Sequence, residues 1–359
     1  MATIRSLLDI LIDPQPIFPE LRSRLPSAFV FSNESEFDKN WAQHLVSGAY
    51  AERMVVSQPV RFGRLPPHAT LRGGNHFMLC AGDDIVGEYV PHVFRNNLPA
   101  LLAELRTERP LIETGEECVL LARFGHNTWG HWAGELLPIA VALETRWPGR
   151  FLYAVPQSGH PDYITGMLQS LAFYGIGLHR LLWLRQGFDH RLHKAWAMTP
   201  IWSDNAPHPA ALDTLRRPTR NLEANGPAKL ALLRRDWPTR GISNIAEVAD
   251  LLETEGFQLA ELAGMRFADQ VRLFASAEIV FGVLGSGLTG LVYSPDNVAV
   301  VAASPTGFSD RFFYALAQRR GGTWADVKGP SRWNGRDGLK RDAPFDVPID
   351  VLRQALAAI

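Results

Sequence analysis

Short apolar runs alternate along this chain with stretches in which apolar residues return every three or four positions, the pattern of strands followed by amphipathic helices. From Cys118, CVLLARF reads as a buried strand, HNTWGHWAGELLPIAVALETRW as a helix entered through a turn, and FLYAVP as the next strand. AFYGIGLHRLLWL and AWAMTPIW continue the alternation. The second half is clearer. KLALLRR reads as a strand, and Asn244 with Glu247 three residues on is a capping-box pattern for a helix running through Glu255 and ended by Gly256. FQLAEL is a strand, RFADQVRLFASA a helix with Phe267, Val271 and Phe274 on one stripe, EIVFGVL a strand, GSGLTG a turn and VAVVAAS a strand. Such alternation predicts an α/β fold with a parallel doubly wound sheet.

The rhythm also predicts domains. Residues 1–75 are proline-rich and read as short strands and loops, and no internal repeat is present. Residues 206–228 are the expected linker between a first domain, 1–205, and a second, 229–345. Within the C-terminal segment 346–359, Pro348 precedes a terminal helix, IDVLRQALAAI, that could cross back to the N-terminal domain.

Composition narrows the classes. A chain of 359 residues that is 46% hydrophobic and 20% charged has the make-up of two globular domains. A net charge of -1 offers no basic field for nucleic acid or an anionic membrane. Cys80 and Cys118 are the two cysteines, which suggests a reducing compartment rather than a disulfide framework. The N-terminal apolar run is broken by Asp9, Asp13, Pro14 and Pro16, unlike a signal peptide, so a cytoplasmic protein is expected.

Three segments carry candidate chemistry. Gly285–Gly290 has the G-x-G-x-x-G spacing after a strand, where small residues let backbone N–H groups approach a phosphate. The expected acidic ribose ligand is replaced by Ser304 at the end of the next strand, and Pro295 cuts the following helix short, which argues against NAD. Arg234 and Arg240 flank a loop at the carboxyl end of a strand, where guanidinium forks suit a diphosphate; Arg235 competes for the role. His131 and Glu135 share a helical face, so one can take a proton from a hydroxyl while the other orients it. No D-x-D motif is present, and the residue four after His131 is not a second histidine, so no metal is expected.

Together these segments resemble glycosyltransferase family 61. Asn127, Gly130, His131, Trp132, Glu135, Leu137 and Pro138 match the family's N-x-x-G-H-W-x-x-E-x-L-P pattern. Arg234, Arg240, Asn244, Glu255-Gly256-Phe257 and Asp269-Gln270 match the second block, which ends at the glycine loop. There the family usually reads H-G-A-G-L-T-N, and this chain has Leu284 and Gly290 at the histidine and asparagine positions. Ile245 stands where an acidic residue is usual.

The resemblance implies two Rossmann-like domains facing across a cleft (GT-B type), with an inverting, metal-independent transfer from a nucleotide-sugar to a glycan acceptor, as in capsule or exopolysaccharide biosynthesis. It implies Glu135 as base supported by His131. The donor diphosphate would be held by Arg234, Arg240 and the backbone of Gly285, Ser286, Gly287, Leu288 and Thr289, and the acceptor would meet Asn127, Trp129 and Trp132. No cofactor is implied, and any membrane association would run through other biosynthetic proteins. Two other classes remain open: a non-catalytic carbohydrate-binding or scaffold homologue, which Leu284 and Gly290 permit, and a nicotinamide-dependent oxidoreductase.

Overall fold

The computed structural model describes residues 3–32, 52–74, 77–90, 94, 97–123, 127–157, 160–203, 206–219, 222, 226–234, 239–306, 308–333 and 342–359. The chain forms two compact units. One comprises Met1–Leu21, Gln58–Trp202 and Ala210–Thr214; the other comprises Arg22–Ser57, Ser203–Pro209 and Leu215–Ile359.

In the first unit the strands Asp189–Met198, Leu111–Leu120, Leu152–Pro156 and Leu181–Leu184 lie side by side in that order, all parallel. Asp189–Met198 also pairs antiparallel with Val60–Arg64 and Ala69–Gly73, so it marks the change from parallel to antiparallel pairing. The strand expected at Cys118 begins at Leu111. Its first seven residues include Glu113, Glu116 and Glu117 and are largely open to water, while Cys118, Val119 and Leu120 are buried. The helices Leu137–Arg146 and Pro161–Phe173 follow the first two of these strands in chain order. Trp147 and Trp196 pack in an aromatic cluster with Phe62 and Phe151, ring centroids 5.0–6.0 Å apart.

The second unit holds a six-stranded, wholly parallel sheet. Its order is Gln258–Ala260, Lys229–Leu232, Ile279–Val283, Ala299–Pro305, Thr323–Gly329 and Phe29–Ser32. Counted along the chain from Lys229, the first five strands have the order 2-1-3-4-5, a doubly wound pattern that reverses between the first and third. The sixth strand comes from the N-terminal region, where Phe29–Ser32 extends the edge beside Thr323–Gly329.

One sequence expectation changes here. The segment 206–228 is not a simple linker: Ala211, Leu212 and Leu215 share a buried stripe that makes Pro209–Arg216 a helix. The terminal helix Ile349–Ala357 packs within the second unit. Val351, Leu352 and Ala355 enter the core of the second, against Thr323–Gly329, Phe29–Ser32 and the helix Ile245–Thr254. Among the described residues no helix is long and apolar enough to cross a membrane.

Candidate functional site

In an open parallel sheet, ligands bind outside the carboxyl ends of the strands where the order reverses. In the second unit those strands are Lys229–Leu232 and Ile279–Val283, which are direct neighbours. Arg234 follows the first and Gly285 the second. A Cβ placed on Gly285 would stand 3.2 and 3.3 Å from the two terminal nitrogens of Arg234 and 3.4 Å from Nη2 of Arg240. Both guanidinium groups therefore converge on the Gly285 backbone. Burial and the charge of Arg240 push the Arg234 pKa down to about 10. An anion between the two arginines would relieve that repulsion.

Arg240 is held by its surroundings. Its backbone is left-handed, φ 56°, which costs a residue with a side chain about 1–2 kcal/mol. The strap Asp342–Val347 maintains it: Arg240 N–H donates to the Asp342 carbonyl at 2.9 Å, Ser243 N–H to Phe345 at 2.8 Å, and Phe345 N–H to Gly241 at 3.0 Å. The Arg240 side chain bonds Asp342 Oδ1 at 3.0 Å, and its guanidinium carbon lies 4.6 Å from the Phe308 ring centroid. Asn244 serves the same strap. Its amide accepts from Val347 N–H at 2.9 Å and donates to the Val347 carbonyl at 3.0 Å. It makes no capping bond to the helix Ile245–Thr254, so the expected capping box is absent. Arg235 lies outside the described residues.

The glycine loop is a helix rather than a turn. Ser286–Tyr293 forms a 3-10 helix closed first by Leu288 N–H on the Gly285 carbonyl at 2.9 Å. The N–H groups of Ser286 and Gly287 precede that first bond, at the positive end of the element. The side chains of Leu288 and Thr289 turn inward, and the Thr289 hydroxyl donates to the Ser286 carbonyl at 2.8 Å. Leu284 is also buried. A Cβ on Gly290 would lie 2.0 Å from the buried Phe274 ring, so the asparagine usual in the family has no room here. Gly290→Ala is accordingly expected to destabilise the protein by about 1–3 kcal/mol through overpacking. Gly287→Ala, whose new Cβ would meet nothing closer than 3.7 Å, serves as the control. Calorimetric midpoints check this, and equal midpoints for the two variants would refute it.

In the first unit, Pro138 sits in the first turn of the helix Leu137–Arg146 and offers no N–H to the Gly134 carbonyl. The chain accommodates this with a π turn at Trp132–Leu136, in which the Leu137 N–H bonds the Trp132 carbonyl. The Gly134 carbonyl instead accepts the Trp202 indole N–H at 3.3 Å. Single π turns inside helices occur frequently at functional sites. This one contains Glu135 and follows directly on His131, whose Nδ1 is hydrogen-bonded to Glu135 Oε1. The His131 side chain is 41% exposed and that of Glu135 19%. A carboxylate on Nδ1 keeps the proton there and puts the lone pair on Nε2.

The expected acceptor residues separate. Asn127 is exposed in a turn. Trp129 is half-buried, with its ring against Gly166 of the helix Pro161–Phe173, where a Cβ would approach Cζ3 to 3.0 Å. Trp132 is 0% exposed and donates its indole N–H to Ser170 Oγ at 2.9 Å, so its ring is core and has no face left for a sugar. Sequence reasoning missed Arg123, buried at the carboxyl end of Leu111–Leu120, bonded to the Met198 carbonyl and 5.9 Å from the Tyr89 ring centroid. It also missed Asp342 and Phe308, which touch Arg240 from about 70 to 100 residues away and have no local pattern.

Residues 129–301 match the family model described as Glycosyltransferase 61. Over this span the chain is similar to glycosyltransferase family 61, and the match supports that assignment. No curated protein matches the chain. The matched region takes in His131, Glu135, Arg234, Arg240 and the Gly285 loop, so both clusters described above lie inside it. The match to family 61 implies glycosyltransferase activity, with a sugar donor and an acceptor as substrates.

Proposed function

We propose that this protein is an inverting glycosyltransferase that moves a sugar from a nucleoside diphosphate donor to a glycan hydroxyl in polysaccharide biosynthesis. The observation that carries the reading is the convergence of Arg234 and Arg240 on Gly285 where the strand order of the second unit reverses. Two guanidinium groups and the N–H groups of Ser286 and Gly287 suit a diphosphate in charge and in donor geometry. In this reading the second unit holds the donor's diphosphate and the first supplies the base, the division of labour of a GT-B enzyme. The acceptor oxygen attacks the anomeric carbon from the face opposite the diphosphate, its proton passes to the base, and the diphosphate leaves with the electron pair. Arg234 and Arg240 offset the charge that grows on the leaving group.

The geometry favours His131 as the base and Glu135 as the residue that orients it, the reverse of the division that the family resemblance suggested. The carboxylate occupies Nδ1 and is the more buried partner, leaving the imidazole as the more accessible group. A nicotinamide site is disfavoured, because the glycine loop follows the third strand of the sheet and not the first. The reading places the enzyme in the cytoplasm, where nucleotide-sugars are made, with any membrane contact arising through partner proteins.

Calorimetric titration with nucleoside diphosphates tests the core of the proposal. Binding that survives unchanged in an Arg234→Ala, Arg240→Ala double variant with an intact fold would overturn it, and absence of all nucleotide binding would favour a non-catalytic homologue. Because arginines and backbone donors supply the positive charge, turnover is expected to persist in excess chelator. Activity lost in chelator and restored by magnesium or manganese would contradict metal independence.

A further inference from the structure

Lys328 and Asp326 form a fully buried ion pair, both side chains 0% exposed, with Nζ 2.9 Å from Oδ2. They project from the same face of the strand Thr323–Gly329, two residues apart. Burial pushes the Lys328 pKa down while Asp326 opposes the shift. Two charges taken out of water recover the desolvation cost only with good geometry and further hydrogen bonds, so such a pair adds little stability over an apolar one. What else the pair holds is therefore informative. Lys328 Nζ donates to Ser304 Oγ at 2.7 Å, to the Phe308 carbonyl at 2.6 Å and to Ser309 Oγ at 3.3 Å. Ser304 Oγ donates to Asp326 Oδ1 at 3.2 Å. Phe308 and Ser309 belong to the connection between the strand Ala299–Pro305 and the helix Arg311–Gln318. The Phe308 ring is the surface on which the Arg240 guanidinium rests.

We propose that Lys328, with Asp326, is a positioning residue for donor binding. The buried ammonium fixes the Phe308 carbonyl, the fixed backbone sets the Phe308 ring, and the ring holds the Arg240 guanidinium aimed at Gly285. The inference rests on the reading of Arg234 and Arg240 as diphosphate ligands. A guanidinium given a fixed aromatic face loses less freedom when it captures an anion, so the pair contributes to affinity without touching the ligand.

The test is calorimetric titration of the full chain with inorganic pyrophosphate. Phe308→Leu, which removes the aromatic face and leaves the ion pair, is expected to weaken binding about tenfold, whereas Phe308→Tyr keeps the face and should stay within about twofold of wild type. The Asp326→Leu, Lys328→Met double variant substitutes an apolar pair of similar volume. It should unfold cooperatively near the wild-type temperature yet lose the same factor, and adding Phe308→Leu to it should cost nothing more, because all three act through one contact. Wild-type affinity in Phe308→Leu, or in the folded double variant, overturns the proposal. If the double variant does not fold, Phe308→Leu alone decides. Unchanged affinity in Arg240→Ala would instead bring down the diphosphate reading itself.

Discussion

His131→Ala is expected to lower kcat by about 10²- to 10⁴-fold, the usual contribution of a general base, while donor affinity stays near wild type. That factor corresponds to about 3–5 kcal/mol of transition-state stabilisation. The base acts only as the acceptor hydroxyl loses its proton, so its removal spares the ground-state complex. Substitution and chemical rescue separate the two members of the pair. Glu135→Gln keeps the size of the side chain but removes the charge that stabilises the imidazolium, so it too should be slow. Added imidazole should restore part of the turnover of His131→Ala. Wild-type turnover in His131→Ala, or a product that retains the donor's anomeric configuration, would refute the assignment.

Arg234→Met should act in opposite directions on stability and on ligand binding. Arg234 is largely buried beside Arg240, an arrangement unfavourable enough to pull its pKa down to about 10. Replacing it with an apolar side chain of similar length removes the repulsion, so the unliganded variant is expected to melt at or above the wild-type temperature. A hydrogen bond to a charged group contributes about 1.5–3 kcal/mol, so the same change should weaken nucleoside diphosphate binding by roughly 10- to 150-fold. Thermal stabilisation by added diphosphate, which follows from binding to the native state alone, should then largely disappear. A variant that melts several degrees lower would show Arg234 to be a structural residue. One that keeps its diphosphate response would show that the anion binds elsewhere.

Local pattern alone determined a good part of this. The alternation of apolar runs and helical stripes marked every strand of the second sheet from Lys229–Leu232 to Ala299–Pro305, because burial of a strand or a helix face is written into residues close in sequence. The His131–Glu135 bond follows from a spacing of four on helical backbone, and the Gly285 loop from small residues after a strand. Tertiary structure decided what depends on long-range pairing. The order 2-1-3-4-5, the insertion of Phe29–Ser32 at the sheet edge and the seating of the last helix on the second unit involve partners far apart in the chain, and periodicity carries no register between them. Only packing could tell the half-buried Trp129 from the core Trp132, since the stripe that makes a tryptophan available to a ligand also makes it available to a neighbouring helix. The setting of Arg240 was likewise invisible in the sequence. Its left-handed backbone, its bond to Asp342, its contact with Phe308 and the buried Lys328 behind that ring come from four separate segments, which meet because a parallel sheet gathers the carboxyl ends of its strands along one edge.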